Sequence, residues 1–516
     1  MFLGGILVLV LALIALVYLI IKEDGTFVSI PGGSYTEGII GQPINVNPIL
    51  SKNQADGEIS SLIYLPLYNL LQTWSVSPDG KTYTLELKDG LKWSDGEDLT
   101  SDDVIFTINT AEDYNSHSPF YGSWQGVSVE RVSKIQIKLT LLNPNEFFIG
   151  NLKNLPVIPE HIYGSIPIEN FSLSEYKLQP VGSGPYEFKD FSKRKDGFIT
   201  SYHLIPNPYF SGDKPYIPDF YFRFFESPSD VYKALELHEI NGYDSMWPIG
   251  FDTSSLKSYL TEKISMPDYY AVFFNQNTNP VLKDPNIREA LSLGIDRSAI
   301  ISQILGNEGS EVKSPVMGED NSSSTYDPTS ASALISQYKS KNKNSQITVT
   351  ISVPDVDFLK KTADMIKNDW QSIGIDTVNV QVVDMNDPIN SPLKTRDYDV
   401  LLFGNFLQNE EDLFPFWHSS QKMYPGLNLA GYQNQKADNL MEQIRGTSDE
   451  TTRQTMLSAL GSIIKNDNPA AFLFSLPYFY IHSNELRGFD LSNLKSPRDL
   501  FNNVEKWSIA EVRVIK

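Results

Sequence analysis

The sequence predicts an α/β protein of two or three domains standing behind an N-terminal membrane-spanning helix. Three observations carry this. The chain has 516 residues, more than one hydrophobic core normally holds. From Ile347 to Val383 it reads as an alternating strand, an amphipathic helix, Gly374-Ile375 and a second strand, a βαβ crossover that calls for a parallel sheet. Phe2 to Ile21 is an unbroken, uncharged apolar run. At about 1.5 Å per residue it matches a bilayer core of roughly 30 Å.

No basic residue precedes that run and no small-x-small cleavage site follows it, so residues 1–22 read as an uncleaved anchor rather than a signal peptide. Residues 23–33 read as a linker ending in Pro31-Gly32-Gly33. Hydrophobic content of 41% suits a packed globular chain. A net charge of −21 argues against nucleic acid, whose phosphates demand a basic surface. The absence of cysteine excludes disulfides, zinc–thiolate sites, thiol nucleophiles and a lipid-modified N-terminal cysteine. The six histidines show no metal-ligand spacing, and neither a G-x-S-x-G elbow nor H-E-x-x-H occurs. No cofactor, metal or catalytic role is expected.

The stretch Ser77 to Thr107 is the most regular. Pro78-Asp79-Gly80 is a turn signal. Tyr83, Leu85 and Leu87 then alternate with polar residues as a half-buried strand. Asp89-Gly90 and Ser94-Asp95-Gly96 turn the chain again around Leu91 and Trp93. Thr100 is a helix N-cap with Asp103 three residues on, and Val104, Ile105, Ile108 and Ala111 follow at helical spacing.

This order of residues resembles the signature of the family 5 extracellular solute-binding proteins, the oligopeptide- and dipeptide-binding components of bacterial ABC importers. Pro180-Val181-Gly182-Ser183-Gly184-Pro185-Tyr186 resembles the family's GTGPY turn. Asp284 to Arg297 (DPNIREALSLGIDR) resembles its D-x-x-VRQALSYAIDR helix. Within that helix Asp296 and Arg297 are expected to form structural ion pairs.

The resemblance implies a two-lobed, hinged fold of the periplasmic-binding-protein type II kind with three subdomains. Lobe I is expected from residues 34–50, 181–274 and 480–516, an extra subdomain from 51–180, and lobe II from 275–479. It also implies a monomer on the extracytoplasmic face of the membrane, partnered by permease and ATPase subunits, that closes on a peptide. The alternatives are a membrane-anchored peptide sensor or chaperone without transport, or a binder of another solute such as an oligosaccharide.

In peptide-binding members the ligand backbone pairs with strand edges from each lobe, and an aspartate just after the lobe II strand meets its amino terminus. Carried over residue by residue, Gly404, Asn405 and Phe406 match the edge. Gln408 falls on the aspartate position, with Glu410, Glu411 and Asp412 close behind. A neutral Gln408 forgoes the charge-assisted part of the amine contact, on the order of 1 kcal/mol. From the first lobe, Tyr121 or Trp124 is expected to line the cleft, where the family places aromatic side chains.

Overall fold

A computed structural model describes residues 26–514 apart from 52, 246–251, 317–325, 344, 386–389, 408 and 493. The expected anchor over 1–22 therefore lies outside the described residues, as does Gln408. Among the described residues no helix is long and apolar enough to cross a membrane.

Two large sheets organise the chain. The first has seven strands in the order Tyr259–Ser265, Pro477–Ser483, Gly242–Ser245, Ser34–Ile40, Asp219–Phe225, Ile199–Pro206, Tyr186–Lys193. The second has six, in the order Ser310–Glu311, Ala470–Ser475, Asp268–Phe274, Val400–Phe406, Thr348–Pro354, Thr377–Val383. We refer to the first as the sheet of lobe I and to the second as the sheet of lobe II. Thr348–Pro354 and Thr377–Val383 pair in parallel, joined by the helix Asp357–Ser372, as the hydrophobic pattern requires.

The extra subdomain is a four-stranded sheet, Leu71–Val76, Thr82–Leu87, Gln136–Thr140 and Ser128–Arg131, covered by the helix Ser101–Glu112. Tyr83, Leu85 and Leu87 are its buried face. Thr100 caps the helix, and the Asp103 side chain accepts from the Thr100 N–H at 2.8 Å, completing the capping box read from sequence. The hydrophobic core of this subdomain is continuous with that of lobe I, whereas lobe II holds two cores on the two faces of its sheet.

Several boundaries differ from those expected. Asp268–Phe274 lies in the lobe II sheet, so the first crossing is at Met266-Pro267 rather than after Phe274. The second crossing is at Leu476, because Pro477–Ser483 already pairs within lobe I. Strand alternation alone could not show which sheet these residues join, since both lobes bury them. The helix Gln54–Ile63 belongs to lobe I rather than to the extra subdomain. Gln54 Nε2 donates to Asp244 of the lobe I sheet at 2.9 Å, and Asp56 accepts from the Ile44 and Asn45 N–H groups.

The segment read as a linker contains a strand, Thr26–Ser29, paired antiparallel with Glu511–Val514. Asp296 and Arg297 are structural, and neither makes an ion pair among the described residues. Asp296 caps the helix Arg297–Gln303, and the buried Arg297 donates to the Phe472, Ser292 and Ile295 carbonyls.

Candidate functional site

The strand Val400–Phe406 forms because Val400, Leu401 and Leu402 are buried on both faces of a central sheet. It pairs with Asp268–Phe274 along its whole length. On its other side Thr348–Pro354 pairs only with Val400 and Leu401. Beyond Leu401, one backbone edge has no strand partner among the described residues. That edge carries the three positions singled out from sequence.

Each of the three does something different. Gly404 stands opposite Tyr270, whose ring lies over it, and a Cβ there would come within 2.7 Å of the ring. Glycine is demanded by this close approach. The Asn405 side chain is buried and turned into lobe II, where its Nδ2 donates to Tyr269 Oη at 3.0 Å. Trp417 Nε1 donates to the same oxygen at 3.1 Å. What Asn405 offers outward is its backbone. Phe406 stands opposite Asp268 and packs its ring on the lobe I core.

The crossings between lobes run beside this edge. The Leu407 N–H donates to the Pro267 carbonyl at 2.7 Å. Ser475 Oγ donates to Asp268 Oδ1 at 2.5 Å, so one carboxyl ties the last residue before one crossing to the first residue after the other. Asp268 is 3% exposed. Burial pushes its carboxyl up to about 7, against the lowering effect of the Ser475 hydroxyl.

Asp244, Glu37 and Glu58 are buried together in lobe I behind its crossing strand. Tyr478 Oη donates to Asp244 Oδ2 at 2.7 Å, and Tyr35 Oη donates to Glu37 Oε2 at 2.7 Å. Glu58 lies against Asp244 and Glu37. Burial raises all three, Asp244 to about 6, and the neighbouring Asp244 charge raises Glu37 and Glu58 further. Carboxyls so placed retain protons that exposed ones have lost.

The acidic segment behaves otherwise than expected. Gln408 lies outside the described residues. Glu410 is exposed. Asp412 is engaged on both oxygens by Arg445, Nε at 2.9 Å and NH2 at 2.7 Å. Glu411 accepts from Arg453 Nε at 2.6 Å and Gln454 Nε2 at 2.7 Å. Both carboxylates therefore serve the packing of the segment on the helices Gln435–Arg445 and Glu450–Asp467. Asp412 is not a free carboxylate awaiting an amine.

The two aromatic candidates also separate. Trp124 is fully buried against Phe148, ring centroids 5.3 Å apart, and is a core residue of the extra subdomain rather than a cleft wall. Tyr121 is partly exposed and forms an edge-to-face pair with Tyr114 at 6.1 Å. His117 of the same loop faces Tyr424 of lobe II, with ring centroids 6.1 Å apart. Asp268, Arg445 and Arg453 carry no motif that marks them in the sequence. Among the described residues no group of His, Asp or Glu could hold a metal ion.

Comparison with known proteins agrees with this architecture. The oligopeptide-binding protein AppA of Bacillus subtilis is 26% identical over 518 residues, covering 93% of this chain and 92% of that one. The dipeptide-binding protein of Escherichia coli is 23% identical over 87% of this chain and 90% of its own. Among solved structures, B. subtilis AppA in complex with a nonapeptide superposes with a TM-score of 0.79 at 24% identity, covering 94% of this chain and 100% of that one. The Campylobacter jejuni protein NikZ in complex with Ni(L-His) gives 0.76 at 22% identity over 93% and 100%. These two share the fold. The profile of the bacterial extracellular solute-binding proteins, family 5, middle region, matches residues 66–424, and the chain belongs to that family.

Proposed function

We propose that the protein is the substrate-binding component of an ABC importer, capturing oligopeptides between its lobes by hinge closure. The observation that carries this is the unpartnered backbone edge beyond Leu401, set beside two lobe crossings. An extended peptide adds to such an edge through main-chain hydrogen bonds, which accept any side chain. Contacts to both lobes at once favour the closed state by differential binding. The relatives named for oligopeptides and dipeptides support this ligand class. Residues 1–22 would hold the protein at the extracytoplasmic face as an uncleaved anchor, beside permease and ATPase subunits, and the chain would act as a monomer.

Incubating the purified protein with a randomised peptide pool and identifying what it retains tests the reading. Enrichment of peptides is expected.

A second reading is favoured by the engagement of Asp412 by Arg445, which removes one carboxylate from amine recognition. The same cleft would then take a solute without a free amine, an oligosaccharide among them, or serve a peptide sensor or chaperone without transport. Thermal stabilisation by saccharides with no retained peptide would favour the solute reading. Glu410 remains the exposed carboxylate of the segment and the candidate for an amine contact, with Tyr121 at the subdomain side.

A further inference from the structure

Two consecutive phenylalanines of the extra subdomain serve different bodies. Phe148 is buried in the subdomain, its ring centroid 5.0 Å from Tyr83 and 5.3 Å from Trp124. Phe147 instead packs against the lobe II core that contains Leu413 and Ile444. The Arg453 guanidinium lies over its ring at 5.7 Å. Beside it the Glu146 N–H donates to the Arg445 carbonyl at 2.8 Å. Arg445 ends the helix Gln435–Arg445, so its carbonyl has no intrahelical donor.

Both sides of this contact are held in shape. In the subdomain, Tyr83 Oη donates to the Asn145 carbonyl at 3.1 Å, and the Phe147 N–H donates to Asn145 Oδ1 at 3.0 Å. In lobe II, Arg453 is fixed by Glu411 and by the Thr447 and Ser448 carbonyls at 3.1 and 3.2 Å. Arg445 is fixed by Asp412. The acidic segment thus orients the two arginine-bearing helix ends that receive the subdomain.

We propose that Asn145–Phe147 and the Glu411–Arg453 pair form a closure latch between the extra subdomain and lobe II. Phe147 is a positioning residue that sets the open–closed equilibrium without touching the ligand. The inference rests on reading the cleft as a site that closes by hinge bending. Opening returns the Phe147 ring to water and strips the Arg445 carbonyl of its donor, so both contacts favour the closed state. Apparent ligand affinity falls with the fraction of molecules in the competent state. The latch therefore holds part of the unliganded population closed.

The chain lacks cysteine, so Glu130→Cys on the subdomain and Lys436→Cys on lobe II give a single pair of spin-label sites. Distance distributions are measured on the full chain without added ligand. A short-distance population is expected, lost in Phe147→Ala and in Arg453→Gln and retained in Phe147→Tyr, with thermal unfolding of the Phe147 variants little changed and that of Arg453→Gln lowered by the stranded Glu411 carboxylate. Retention of a randomised nonapeptide pool should weaken on the order of tenfold in Phe147→Ala through faster release. Distributions that coincide in the parent, Phe147→Ala and Arg453→Gln would overturn the latch. A parent that retains no peptide yet shows the Phe147-dependent short distance upholds the latch and removes the peptide reading.

Discussion

Arg445 grips both oxygens of Asp412, a two-bond pairing that turns a candidate ligand group into a fastener of lobe II. The pair is mostly buried, its side chains 20% and 14% exposed. Removing one partner leaves the other charge in a poorly solvated place. Asp412→Asn is expected to cost about 1–3 kcal/mol of stability, read by denaturant unfolding. Glu410→Gln should leave stability within roughly 0.5 kcal/mol. If Glu410 meets a ligand amine, the same change weakens binding of peptides with a free amino terminus, not of acetylated ones.

Gly404 lies directly beneath the Tyr270 ring, and an added Cβ has nowhere to go unless the ring moves. Gly404→Val should cost about 1–3 kcal/mol through overpacking, with reduced peptide retention. Tyr270→Leu in the same chain should recover part of the loss. Equal stability of the single variant and the parent would show that the edge tolerates a side chain there.

Asp268 makes stability depend on pH. Its folded-state value, about 7, stands above the ordinary aspartate value, so the folded protein holds a proton that the unfolded chain releases. Its contribution is fully present below about pH 4 and is lost as pH rises through about 7. Asp268→Asn should flatten that decline and gain on the order of 1–3 kcal/mol over the parent at pH 8. Glu58→Gln in lobe I should act in the same direction, because burial raises that carboxyl also. Parallel stability–pH curves for parent and Asp268→Asn would contradict the assignment.

Trp124 and Tyr121 sit three residues apart with different duties. Trp124→Ala should cost about 3–5 kcal/mol as a buried aromatic truncation. Tyr121→Ala should cost little stability, since the ring is partly exposed. If Tyr121 meets ligand, its loss shows in retention of the peptide pool.

The small subdomain was the most legible part of the sequence. Tyr83, Leu85 and Leu87 with the Thr100–Asp103 box all state one local answer, and local rules decide such elements. The parallel pair around Gly374-Ile375 was legible for the same reason. The crossings at Met266-Pro267 and Leu476 were not. Tyr269–Phe274 and Pro477–Ile481 are continuous apolar runs, and such runs do not say which sheet they join. The candidate edge at Gly404–Phe406 is legible only through resemblance. The role of Asp412 depended on Arg445, thirty-three residues away, and that of Phe147 on a contact between two bodies. Neither leaves a spacing in the sequence.

In the proposed function a peptide pairs with the open edge of Val400–Phe406. Amide hydrogen exchange across Phe403–Phe406, with and without a saturating peptide pool, tests it most directly. Slower exchange is expected there on adding peptide, accompanied by protection at Asn145–Phe147 as the lobes close. Peptide retained with unchanged exchange across Phe403–Phe406 would contradict it.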